Sequence, residues 1–202
     1  IAELNIPSVI FDQPGHYLGG FNEVKSFDAY TKLAPHLFES AAKSLKKHLP
    51  LAPEKFILGG HSLGALLSLK ASEDSQYLRE KNTDIICVGF GIHDPEKKHL
   101  FETPLFQETM NLRAQLISSE LCPEKMLPWI KKEKLATSPA QKSIYLLAGE
   151  DDLIIDGLAG LNRAKEILES KGSRVHIEAP KKLSHHTPEL AGIFIKNYLK
   201  KI

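Results

Sequence analysis

Cysteine is scarce in this chain, with two among 202 residues. Cys87 lies inside an apolar run and Cys122 precedes a proline, with no C-x-x-C spacing, so neither a disulfide framework nor a cysteine metal knuckle is expected. Long apolar runs are missing as well. No stretch approaches the roughly 20 residues that cross a bilayer, and no signal-like segment stands at the front, so an integral membrane segment is not expected. An excess of one charge is also lacking, because 26 basic residues face 25 acidic ones for a formal net charge of +1. No bulk field then favours nucleic acid or an anionic membrane. A small-molecule partner and a cytoplasmic location are the expectations, and the oligomeric state stays open. The chain begins with Ile1 and enters a strand-like run almost at once, so a further segment upstream is also expected.

What is present matches an ordinary globular protein: 42% hydrophobic and 25% charged residues, with 13 glycines and 12 prolines to turn the chain. The length suits one domain carrying a small insertion. Short runs rich in Val and Ile alternate with longer segments of helical period, which predicts an α/β fold with a mainly parallel sheet flanked by helices. Five strands are expected, at "PSVIFD" (Pro7–Asp12), "EKFILGG" (Glu54–Gly60), "DIICVGF" (Asp84–Phe90), "SIYLLAG" (Ser143–Gly149) and "SRVHIEA" (Ser173–Ala179). One or two helices bridge the first pair, with Pro35 as a start or a kink. The stretch from about 94 to 141 breaks the alternation and predicts a small helical cap insertion.

The second strand runs into Gly60-His61-Ser62-Leu63-Gly64, a G-x-S-x-G pentapeptide. Such a match arises by chance in roughly one chain of this length in fifteen, given average Gly and Ser usage. Its position between an apolar strand and a run of good helix formers is what carries weight. A sharp strand-to-helix turn strains the serine and leaves no room for side chains two before and two after, so glycine is expected at 60 and 64. The first helical amides, chiefly that of Leu63, then point toward negative charge developing on a bound carbonyl. The competing reading is that Ser62 only caps the helix.

A serine nucleophile needs a histidine base and a carboxylate to orient it. "AGEDDLI" follows the fourth expected strand with Glu150, Asp151 and Asp152, and "KKLSHHTPEL" follows the fifth with His185 and His186. Serine, acid and histidine thus fall in that order at one edge of a parallel sheet, where open α/β sheets gather ligands. Asp151 and Asp94 remain alternative acids, and His186 an alternative base. His16, His61, His99 and His176 are scattered and pair with no carboxylate at metal-ligand spacing, so no metal or other cofactor is implied.

From about Ser8 to Tyr198 these motifs resemble the α/β-hydrolase superfamily. "DQPGH" (Asp12–His16) resembles the family's D-x-P-G-x-G turn, "GHSLG" its nucleophile elbow, "GEDD" the G-x-x-D of its acid turn and "SHHTPE" its histidine loop. The resemblance implies Ser62 as nucleophile, Asp152 as acid, His185 as base and Leu63 N–H as half of the oxyanion hole, with His186 in a position often aromatic. It implies hydrolysis of a carboxylic ester or thioester through an acyl-serine intermediate.

The sequence departs from that family at two places. Tyr17 stands where the family's turn has its last glycine. The family's first three strands, with the loop that supplies a second oxyanion amide, have no counterpart in residues 1 to 6. Without the strand that the family places between them, "PSVIFD" and "EKFILGG" would face each other across a gap, each with unpaired backbone groups. A catalytically silent binding or scaffold domain is therefore the alternative function.

Overall fold

The computed structural model describes residues 4–16, 24–114, 117–137 and 139–202. Four parallel strands, β1 (Phe56–His61), β2 (Thr83–Val88), β3 (Ser143–Leu147) and β4 (Arg174–Glu178), form one sheet in the order β1-β2-β3-β4. Parallel neighbours need crossover connections, and each is helical here. α2 (Leu63–Asp74) and α3 (Gln76–Arg79) join β1 to β2. α4 (Pro104–Ala114) and α5 (Pro123–Ala136) lie between β2 and β3, and α6 (Gly157–Ser170) lies between β3 and β4. α1 (Phe27–Lys47) precedes the sheet and α7 (Ala191–Leu199) closes the chain.

The two-residue period of the strands divides the core into layers. Ile85 and Cys87 of β2 and Ile144 and Leu146 of β3 meet α2 and α6 through Leu66, Leu69, Leu161 and Ala164. Ile86, Val88, Tyr145 and Leu147 point the other way, where Ala191, Phe194 and Tyr198 of α7 cover them. Tyr198 stacks on Tyr145 with ring centroids 4.1 Å apart. Strands buried on both faces read as continuous apolar runs, which is why these two were legible. Phe56 and Leu58 of β1 join α1 and α2 in a second cluster with Tyr30, Phe38 and Leu67. Ile57, between them, is 38% exposed.

The four observed strands begin and end within two residues of the expected ones. The first expected strand, at Pro7–Asp12, is not formed. Pro7–Asp12 has no strand partner, and Val9 and Ile10 are 45% and 94% exposed. Strand propensity becomes a strand only where a ladder accepts the backbone, and among the described residues β1 is an end strand of the sheet, paired with β2 alone. Phe11 alone is anchored, edge-on to Phe38 at 5.0 Å. Asp12 to His16 do form the expected turn, with Gly15 at φ +74° and His16 N donating to Gln13 O at 3.2 Å. Tyr17 lies outside the described residues.

Pro35 neither starts nor ends a helix. It sits inside the 21-residue α1, where burial of Tyr30, Ala34, Phe38 and Ala42 against the core outweighs the cost of about 3 kcal/mol for an interior proline. The helix after β1, in contrast, is divided by Ser75. That serine ends α2, caps α3 by accepting from Leu78 N at 3.1 Å, and donates to Glu39 Oε2 at 2.6 Å.

The segment between β2 and β3 holds α4 and α5 and is tied to the rest of the fold by polar and aromatic contacts. Lys70 of α2 pairs with Glu133 of α5 at 2.6 Å. Lys134, next along, donates from Nζ to Gly91 O at 2.9 Å. Trp129 packs α5 on α1, edge-on to Phe27 and Tyr30.

Candidate active site

β1 delivers its last residues to the sheet's carboxyl edge, and Ser62 turns the chain into α2. Its backbone is at φ +53°, ψ −109°, a conformation a non-glycine residue adopts at a cost of about 1–3 kcal/mol. The Ser62 amide donates to Val88 O at 2.8 Å and so continues the β1–β2 ladder into the turn. A Cβ on Gly60 would lie 2.3 Å from the carbonyl carbon of Gly64, so glycine is required there. At Gly64 a Cβ would meet nothing within 4 Å. The expected two-sided clash is therefore one-sided: the turn presses the Gly64 backbone onto Gly60, and a side chain at 64 would point away.

The Ser62 side chain makes no capping bond to α2. Its Oγ instead lies 3.1 Å from Nε2 of His185, and His185 Nδ1 lies 2.8 Å from Asp152 Oδ2. An ionised carboxylate only accepts, so Nδ1–H donates to Asp152 and Nε2 is left to accept from the serine hydroxyl. Asp152 Oδ1 accepts from Ile154 N at 3.0 Å. The Asp152 side chain is 1% exposed and that of His185 9%, so the bond between them is shielded from water, while Ser62 is half-buried. The amide of Leu63 opens α2 beside Ser62, at the helix end where N–H groups have no intrahelical acceptor.

Two loops bring acid and imidazole together. The turn after β3 runs so close to the loop after β4 that a Cβ on Gly149 would be 2.3 Å from Leu183 O. Glu150 N donates to Pro180 O at 3.2 Å across the same seam. Asp151, the neighbouring candidate, is exposed. Asp94 is engaged elsewhere, accepting from Glu96 N at 3.0 Å and facing Lys97 at 3.8 Å. His186 stands edge-on to His185 at 5.7 Å, at right angles to the ring that contacts Ser62.

Sequence reasoning passed over His61. Its imidazole lies 4.9 Å from that of His185, and its Nε2 is buried without a hydrogen-bond partner. Burial, and then the nearby His185, hold its pKa below the usual value, so this ring is neutral at pH 7. Gly89, at φ +63°, closes the space under both rings: a Cβ there would sit 3.1 Å from His185 Cε1 and 3.1 Å from His61 Nε2. The signal was present in the register, since His61 pairs with Val88, the residue before that glycine. The remaining histidines lie apart. His16 donates from Nδ1 to Pro14 O at 3.2 Å, His176 stacks on Tyr145 at 5.5 Å, and His99 packs at a tilt against His93 at 4.5 Å.

A cleft of about 760 Å³ opens beside Asp152 and His185, with Leu100, Phe106, Leu153 and Leu190 on its walls. Its size and apolar lining suit a small organic ligand. Among the described residues no group of three His, Cys, Asp or Glu side chains is arranged to hold a metal ion. No helix among them is long and apolar enough to cross a membrane.

No protein-family model and no curated protein sequence matches the chain. The structure is similar to that of an esterase from Pyrococcus furiosus, with a TM-score of 0.50 and 13% sequence identity. The match covers 83% of this chain and 59% of the esterase, so this chain spans less than two thirds of that protein's length. At this identity the likeness is one of fold. That fold is an α/β arrangement: a four-stranded parallel sheet with flanking helices.

Proposed function

We propose that this chain carries a serine hydrolase site of the α/β-hydrolase type, with Ser62 as nucleophile, His185 as base and Asp152 as the orienting acid. One observation carries the reading: hydroxyl, imidazole and buried carboxylate stand in series at 3.1 and 2.8 Å, on a serine held in a strained turn. A capping role for Ser62 explains neither the strain nor the direction of its side chain.

The chemistry follows from the donors and acceptors. His185 Nε2 takes the Ser62 proton as Oγ bonds to the acyl carbon of an ester or thioester, and the carbonyl oxygen becomes an oxyanion facing the Leu63 amide. Collapse expels the alcohol or thiol, which leaves with that proton. Water then gives a proton to His185 and attacks the acyl carbon, and Ser62 departs with the same proton as the acid is released. Asp152 keeps the proton on Nδ1 throughout, so that Nε2 meets the serine as an acceptor.

The test is labelling with a fluorophosphonate, read by mass spectrometry. The expected adduct is on Ser62, absent in Ser62→Ala, and formed far more slowly in Asp152→Asn. That last variant lowers kcat on a nitrophenyl ester by about three to four orders of magnitude. No adduct on the folded protein, or labelling that persists in Ser62→Ala, overturns the reading and leaves a binding or scaffold role.

A further inference from the structure

Away from His185, a second cavity of about 680 Å³ lies between α4, α5 and the loop that follows β2. Its walls are largely apolar, with Ile92, Phe101, Met110, Leu127, Ile130 and Leu135 contributing. Three lysines also line it, and two of them, Lys97 and Lys131, are exposed. Lys134 is half-buried, donates from Nζ to Gly91 O at 2.9 Å and rests over the Phe90 ring at 5.4 Å. Among the described residues it forms no ion pair with a carboxylate, although its neighbour Glu133 is paired with Lys70.

A buried ammonium is costly to leave without a counter-charge. A carbonyl and an aromatic face satisfy it only in part, since an ammonium has three donors. Of the acidic groups bordering the cavity, Glu102 and Glu124 are on exposed residues and Asp94 faces Lys97 at 3.8 Å. His99, also on the lining, is held well below its usual pKa by burial and then by His93 and Lys134, and carries no charge at pH 7. Burial brings Lys134 down to about 8, which still leaves it mostly protonated at pH 7. Among the described residues no carboxylate lies within ion-pair distance of it, and the charge of Asp152, which is bonded to His185, acts on it only from further away.

The geometry points to a binding site for an apolar molecule that ends in a carboxylate, its chain along the cavity walls and its carboxylate on Lys134. The carboxylate could belong to a free monocarboxylic acid or to the far end of an ester substrate, and the chemistry of recognition is the same. The site stands on the cavity and its cation, independently of the reading of Ser62.

The experiment is calorimetric titration with decanoate and with decanol, below their aggregation limits. One decanoate is expected to bind per chain, roughly tenfold to a hundredfold more tightly than decanol, as a charge-assisted hydrogen bond allows. Lys134→Met is expected to erase that preference and Lys134→Arg to keep it, while Leu127→Trp, which fills the cavity, lowers binding of both ligands. Circular dichroism verifies that each variant folds. Absence of saturable decanoate binding, or equal preference in Lys134→Met and the parent, overturns the proposal whatever the outcome at Ser62. Hydrolysis of a medium-chain half-ester identifies the source. A KM raised by Lys134→Met for the half-ester and unchanged for the diester assigns the carboxylate to the substrate, and unchanged values for both assign the site to a free acid.

Discussion

The imidazole of His61 stands 4.9 Å from the imidazole of His185, the two planes tilted by 53°. Because the His61 ring is neutral and its Nε2 has no hydrogen-bond partner, its contribution to the site is shape: a wall that keeps His185 in line between Ser62 and Asp152. His61→Phe retains a ring of similar breadth and is expected to keep kcat within a few-fold. His61→Ala frees the imidazole on that side, and displacement of a catalytic group by about 1 Å costs on the order of a hundredfold. Steady-state kinetics on a nitrophenyl ester separates the two variants. Equal rates for His61→Ala and the parent would remove the wall from the account.

Gly89 supports both rings from below. A methyl group there would press within 3.1 Å of His185 Cε1 and of His61 Nε2, and the backbone at φ +63° is one that a side chain strains by about 1–2 kcal/mol. Gly89→Ala is expected to lower kcat about tenfold or more with little change in KM, and to lower Tm by several degrees. The informative comparison is Gly172→Ala. That glycine also has positive φ, at +91°, but a Cβ on it would meet nothing within 4 Å. It is expected to lower Tm with no effect on kcat. A Gly89→Ala variant as active as the parent would show that His185 has room to move.

The parts of this arrangement that could be read from sequence are those with local causes. Ser62 is marked by the apolar strand before it and the helix formers after it, and Asp152 and His185 by their place in loops just beyond strand ends. The resemblance pointed to His185 over His186 and to Asp152 over Asp151, but the seam between Gly149 and Leu183 that brings their loops together joins residues distant in the chain and left no local mark. His61 was invisible for the same reason, since its neighbour is 124 residues on and reaches it only through the sheet register. Pro7–Asp12 failed in the opposite way. Its composition is that of a strand, but Val9 and Ile10 find no ladder to join. Gly64 suggested a clash that the backbone of Gly64 makes alone.

His99 links the inserted helices to acid stability. Its ring packs at a tilt against His93 at 4.5 Å and Phe101 at 4.3 Å, and its Nδ1 accepts from Phe101 N at 3.1 Å, capping the 3-10 turn at Leu100–Glu102. Burial, then His93 and Lys134, lower its pKa from 6.5 to about 4. Between those two values the unfolded chain holds a proton at this position that the folded chain refuses, so stability falls as pH drops through the window and is fully present above it. His99→Asn keeps a capping acceptor and removes the titration. Its Tm is expected to decline less than that of the parent between pH 7 and pH 4.5, while the gap between the two proteins stays constant above pH 7. His61, also held low, titrates in both proteins and cancels in the comparison. Parallel declines would mean that His99 takes up its proton without disturbing the fold around it.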